Sequence, residues 1–115
     1  MKMRIYRGAL VVAAVAALVG FPLFSGLALA ADKHVGEALE HAKEAVAHGK
    51  QGHGDALVKH AEEGLKHAEA AGVKNPHLDE GVKQLKEAVA HGKAGHVDVA
   101  TTHAEGAVTH LSEVK

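Results

Sequence analysis

The 115-residue chain contains no cysteine and no tryptophan. Its few aromatic residues, Tyr6, Phe21 and Phe24, and both methionines, Met1 and Met3, lie at its N-terminal end, so everything after Phe24 is free of sulfur and of aromatic rings other than imidazole. A disulfide scaffold is therefore excluded, as are the thiolate and thioether ligands that Cu(I) prefers. There is no cysteine nucleophile, no His-Glu-x-x-His helix and no glycine-rich phosphate loop. The hydroxyls of Thr101, Thr102, Thr109 and Ser112 cluster near the C-terminal end without the partners of a catalytic triad. An enzyme is not expected. Nor is basic charge concentrated: all fourteen acidic residues but only ten of the thirteen basic ones follow Ala30, about −4 with neutral histidine. Nucleic acid, which would need a basic face, is not an expected partner.

The N-terminal stretch belongs to a different class. Lys2, Arg4 and Arg7 precede an apolar run from Ala9 to about Val19, and Ala28-Leu29-Ala30 stands before a switch to polar sequence at Asp32. This is the pattern of a signal peptide, residues 1–30, cut after Ala30. An uncleaved membrane anchor is the alternative, since about twenty apolar residues span a bilayer; Pro22, the glycines and the Ala-Leu-Ala site favour cleavage. Either way the functional domain, 31–115, is expected outside the cytoplasm, and after cleavage it has no membrane partner.

What the chain has in quantity is histidine, and all of it is in register. Stepping by seven gives His34, His41, His48, then His53, His60, His67, then His77, Gln84, His91, then His96, His103, His110. Twelve heptad positions hold all eleven histidines and one glutamine. Apolar residues at helical spacing accompany each series. They are Val35, Ala38, Leu39, Ala42, Ala45 and Val46 from Lys33 to about His48, then Leu57, Val58, Ala61, Leu65 and Ala68 up to Ala71. Leu78, Val82, Leu85, Ala88 and Val89 follow to about His91, and Ala100, Ala104, Ala107, Val108 and Leu111 between Val97 and Val114. Val35, Ala42 and Val46 centre the first apolar face, with the histidines on its border. Gly49 with Gly52, Gly72, and Gly92 with Gly95 are the expected helix stops. Asn75-Pro76 reads as N-cap and first helical residue, and Asp55 and Asp98 as caps.

The second half repeats the first at a shift of 43 residues, with sixteen identities over the thirty-three positions Glu37–Glu69 and Glu80–Ser112. The expected fold is all-α, an antiparallel up-down four-helix bundle built from a duplicated helical hairpin, about 33–72 and 76–115. Its alanine-rich core is thin, and Gly64, Gly81 and Gly106 each cost a helix interior about 1 kcal/mol relative to alanine. A protein only marginally stable without a ligand follows.

Residues seven apart lie on one helix stripe but about 10.5 Å apart along it, and imidazole binds metal at about 2 Å. Neighbours in one series cannot share an ion. Ligands must come from a carboxylate three or four residues away or from a second helix. Glu37 and Glu44 interleave His34, His41 and His48; Glu80 and Glu87 do the same for His77 and His91; Glu63 stands between His60 and His67. If the histidine borders meet within a hairpin, the rungs are His48–His53, His41–His60, His34–His67, His91–His96, Gln84–His103 and His77–His110. With the opposite bundle hand they meet between helices instead. Imidazole and carboxylate suit Cu(II), Ni(II) and Zn(II), with Cu(II) first in affinity. Other readings of the stripe are a pH-responsive helical module, because imidazoles change charge between pH 5 and 8, or a repeated interaction scaffold. Exposed charges such as Glu40, Lys59, Lys66 and Lys83 read as solvated faces.

The segments Glu40–Lys50 (Glu-His-Ala-Lys-Glu-Ala-Val-Ala-His-Gly-Lys) and Val58–Glu69 (Val-Lys-His-Ala-Glu-Glu-Gly-Leu-Lys-His-Ala-Glu), within this heptad frame, resemble the bacterial periplasmic small metal-binding proteins. The resemblance covers the whole of 31–115. It implies a monomeric helical bundle in the periplasm that binds several divalent ions, copper preferred, for tolerance or storage. It also implies that the eleven histidines are the binding positions. Gln84 departs from the pattern and puts the middle rung of the second hairpin in doubt; Gln84→His should add or strengthen one site. Because ligands must be deprotonated, affinity should fall as pH drops through about 6.

Overall fold

The computed structural model describes residues 26–115; the basic and apolar parts of the expected signal segment lie outside the described residues. Four helices follow one another: α1 Gly26–Lys50, α2 Gly54–Ala71, α3 Pro76–Lys93 and α4 Val97–Ser112. Each packs on its neighbours in sequence, and α1 also packs on α4, which closes the up-down-up-down bundle. No strand occurs among the described residues. None of the described helices is long and apolar enough to cross a membrane.

Helix α1 is already formed at Gly26, the first described residue, ahead of the expected Lys33. Leu27 to Ala31 are leucines and alanines, the best helix formers, and nothing among them interrupts the ladder. At the other end α1 passes through Gly49. The turn is made instead by Gly52, whose φ of 80° suits glycine, and in the second hairpin by Gly95 at 86°. Gly49 and Gly92 are helical and serve packing. A Cβ on Gly49 would run into Thr101 Oγ1 and Leu57 Cδ1, and one on Gly92 into Val58 Cγ2. Gly72 ends α2 in the left-handed conformation as expected. Asn75 caps α3, its side chain accepting from the amides of His77 (2.8 Å) and Leu78 (3.4 Å), with Pro76 in the first turn. Asp55 and Asp98 are not caps. The N-cap residues of α2 and α4 are His53 and His96, and the aspartates sit in the first turn, at the positive end of the helix dipole.

The core is as thin as its composition. Ala38, Ala42, Ala45, Ala61, Ala88, Ala100, Ala104 and Ala107 are fully buried, and the largest fully buried side chains are Leu57, Leu85 and Leu111. Val46 is only partly buried, so the α1 face centres on Ala38, Ala42 and Ala45. Each of the three leucines has an alanine at the equivalent position of the other repeat: Ala100, Ala42 and Ala68. Bulk is thus supplied once per pair of equivalent positions, which avoids overpacking a two-fold repeat. The same pseudo-symmetry governs the seam between hairpins. Gly49 receives Thr101 while Gly92 receives Val58, its equivalent. Lys50 pairs with Glu105 at 3.4 Å, and Lys93 with Glu62 at 2.9 Å. The packing fixes the hairpins; the exposed ion pairs add little.

Candidate metal centres

The hand of the bundle brings the histidine borders together within each hairpin. His34 and His67 approach at 3.3 Å between Nδ1 atoms, and His41 and His60 at 3.4 Å. The rings of His48 and His53 are 6.1 Å apart, those of His77 and His110 5.9 Å, and those of His91 and His96 6.0 Å. Gln84 completes the ladder, its Oε1 lying 2.8 Å from His103 Nδ1. All six expected rungs therefore face one another. Successive rungs also stack diagonally: His41 on His67 at 5.4 Å and 8°, His48 on His60 at 5.1 Å and 8°, His91 on His103 at 5.2 Å and 5°. In the first hairpin the six rings form one continuous column.

Carboxylates turn two of these rungs into triangles of nearly the same shape. Glu37 Oε1 lies 3.1 Å from His67 Nδ1 and 3.8 Å from His34 Nδ1. Glu44 Oε1 lies 3.0 Å from His60 Nδ1 and 3.7 Å from His41 Nδ1. Ligands held at about 2.0–2.1 Å around a tetrahedral ion stand about 3.3 Å apart, so donor spacings of 3.0–3.8 Å fit such an ion at the centre of each triangle. The same Nδ1 pairs lie at hydrogen-bonding distance, and which ring donates depends on the tautomer.

A third group, His41, Glu63 and His67, lies between these two and shares a histidine with each. Glu63, expected between His60 and His67, groups with His67 and, across the hairpin, with His41. In the second hairpin two groups form: His77, His110 and Glu113, with Glu113 Oε1 3.1 Å from His77 Nδ1, and Glu87, His91 and His103, with Glu87 Oε1 3.6 Å from His91 Nε2. Glu80 joins no group. It lies 3.8 Å from Lys83 on the helix surface, and Glu113 takes the place expected of it. Glu113 follows His110 by three residues, the same step as His34 to Glu37, so the ladder rule extended to the last turn would have found it. His48, His53 and His96 belong to no three-donor group among the described residues, although their rings continue the column and the ladder. Nδ1 of His48 and of His110 is buried with no hydrogen-bond partner. A buried, unpaired imidazole nitrogen is uncommon, and it leaves a donor position open on each of those rings.

A four-helix bundle whose helix borders gather imidazole and carboxylate pairs belongs structurally with the helical metal-binding proteins. The sequence comparison agrees: the model of the small metal-binding protein family matches residues 9–114, and the chain belongs to that family. No curated protein matches the chain.

Proposed function

We propose that this chain binds and buffers several divalent transition-metal ions at once, copper(II) preferred, outside the cytoplasm, as a store or a defence against excess metal. The observation that carries this is the repetition of one donor triangle. Two histidines and a glutamate recur with almost the same spacings at His34–Glu37–His67 and His41–Glu44–His60. Family membership and the two groups of the second hairpin support it. Three donors on partly exposed helix borders leave coordination positions to water. That suits capture and release, because an ion on a helix border can exchange with solvent. Copper leads by the affinity order for nitrogen and oxygen donors, while the edge length suits zinc equally well. The His pairs would hold the ion, and the carboxylates would neutralise its charge.

The test is a titration of the 31–115 chain with Cu(II), Ni(II) and Zn(II) at pH 7.5, reading stoichiometry and melting temperature together, followed by copper–zinc competition. The expected result is several ions per chain, copper tightest, and a rise in melting temperature with each. No binding below millimolar metal would sink the proposal. A cooperative transition near pH 6 in that case would favour the pH-responsive module.

A further inference from the structure

The three donor groups of the first hairpin are chained. His67 belongs both to the His34–Glu37 group and to the central group with Glu63, and His41 belongs both to that central group and to the Glu44–His60 group. A neutral imidazole has one nitrogen lone pair to give. An ion in the central group therefore excludes ions from both flanking groups, whereas the flanking groups share no residue and fill together. The central group cannot add to the capacity of a filled hairpin. What it does is stand between two sites, one ligand of each already in hand.

We propose that the first hairpin is a relay, in which an ion passes between its two outer sites through the central Glu63 group without leaving the protein. Resting on the metal-binding reading above, the relay assigns Glu63 a role in movement instead of storage. The ion bound by His34, Glu37 and His67 keeps His67, takes Glu63 and His41, and lets go of His34 and Glu37. It then keeps His41, takes Glu44 and His60, and lets go of His67 and Glu63. Each hand-over exchanges neutral imidazole for neutral imidazole and carboxylate for carboxylate, so oxidation state and net protonation are unchanged. The stacked His41 and His67 rings, 5.4 Å apart and 8° from parallel, place the shared ligands side by side for this step.

The second hairpin is the built-in control. The positions equivalent to His41, Glu63 and His67 are Gln84, Gly106 and His110. Two of the three central donors are gone, and Gln84 lies against Gly106, within 3.0 Å of where its Cβ would stand. The two groups there share no residue. An ion leaving one must be released before it reaches the other.

Exchange spectroscopy on the imidazole signals of the full chain with one equivalent of Zn(II) tests this. Zinc exchange between the outer sites of the first hairpin is followed at His34 and His60, and that between the second-hairpin groups at His77 and His103. Release to an added chelator is measured in parallel. The relay requires first-hairpin exchange at least about tenfold faster than release, because a ligand is held throughout and lowers the barrier. Second-hairpin exchange should be no faster than release, and Glu63→Gln should bring the first hairpin down to the same limit. Equal rates in the two hairpins, or fast exchange that survives Glu63→Gln, would overturn the relay while leaving metal binding intact. No zinc-dependent shift at any of the four histidines would overturn both.

Discussion

The two hairpins share a backbone unit and a histidine register, yet they differ in how their donor groups connect. In the first, six imidazoles stack in one column and three groups overlap through His41 and His67. In the second, the column breaks at Gln84, Glu80 turns to Lys83, and Glu113 supplies the carboxylate from the other arm of the hairpin. The seven-residue spacing determines where donors stand on the helices. Whether neighbouring sites share ligands is decided by single residues off that register: Glu63 against Gly106, and Ala70 against Glu113. The repeat thus carries donor groups that share histidines in one hairpin and groups that share none in the other.

The difference can be broken most severely at the shared histidines. Replacing His41 and His67 together with alanine removes a ligand from every three-donor group of the first hairpin. Of the four groups that can fill together, the two in the first hairpin should vanish, and with them the stabilisation of roughly 4 kcal/mol per site expected at a thousand times the dissociation constant. The equivalent single change His110→Ala should remove one site only. Metal content by elemental analysis and melting curves at fixed metal check both. An equal loss from the two variants would mean that one of the two outer groups of the first hairpin does not hold an ion.

A smaller effect probes the seam that the two repeats share. Gly49→Ala inserts a methyl group where Thr101 Oγ1 and Leu57 Cδ1 stand, and should cost about 1–3 kcal/mol through overpacking. Gly36→Ala on the same helix meets nothing within 4 Å and should stabilise by about 0.5–1 kcal/mol. Denaturant melts of the metal-free protein separate the two. If Gly49→Ala stabilises as well, the hairpins do not pack as closely as this seam requires. Making the repeats alike at the sites is the next test. Gln84→His adds an imidazole beside His103, Glu87 and the stacked His91. Because Glu87 and His103 already belong to a group, the change should strengthen that site without adding one, by at least about tenfold or ~1.4 kcal/mol in calorimetric titration. Unchanged affinity would argue that the rung at 84 and 103 cannot close on an ion.

Much of this was legible in the residues alone. Heptad histidines, the 43-residue repeat and glycine at 52, 72 and 95 dictate four helices, their order and their turns, because periodicity and positive-φ positions are local properties of the chain. The facing rungs followed from hairpin symmetry, but only the bundle hand, a packing property, decided that they meet within a hairpin. Glu80 turns to Lys83 because i,i+3 spacing says which face a carboxylate is on, not which way its flexible stem turns. Gly49 and Gly92 were read as stops because their neighbours across the bundle, Thr101 and Val58, are invisible in a linear scan.

The smallest effect concerns where each hairpin begins. Asn75 caps α3 through two amides, and its equivalent in the first repeat is Asp32, which lies inside α1 because that helix runs on from Gly26. Asn75→Ala should therefore cost about 1 kcal/mol, whereas Asp32→Ala in the full chain should cost at most a few tenths, since an exposed mid-helix position has no orphan amide to satisfy. Cutting after Ala30 changes this. Asp32 would then be the second residue of the chain, beside the first free amides of α1, free to act as the cap that its repeat partner already is. In the 31–115 chain Asp32→Ala should approach the cost of Asn75→Ala, and thermal melts of the four proteins make the comparison. A cost near zero in the shortened chain would mean that α1 frays back toward Val35 once its leading turns are gone, and that the first hairpin starts later than the second.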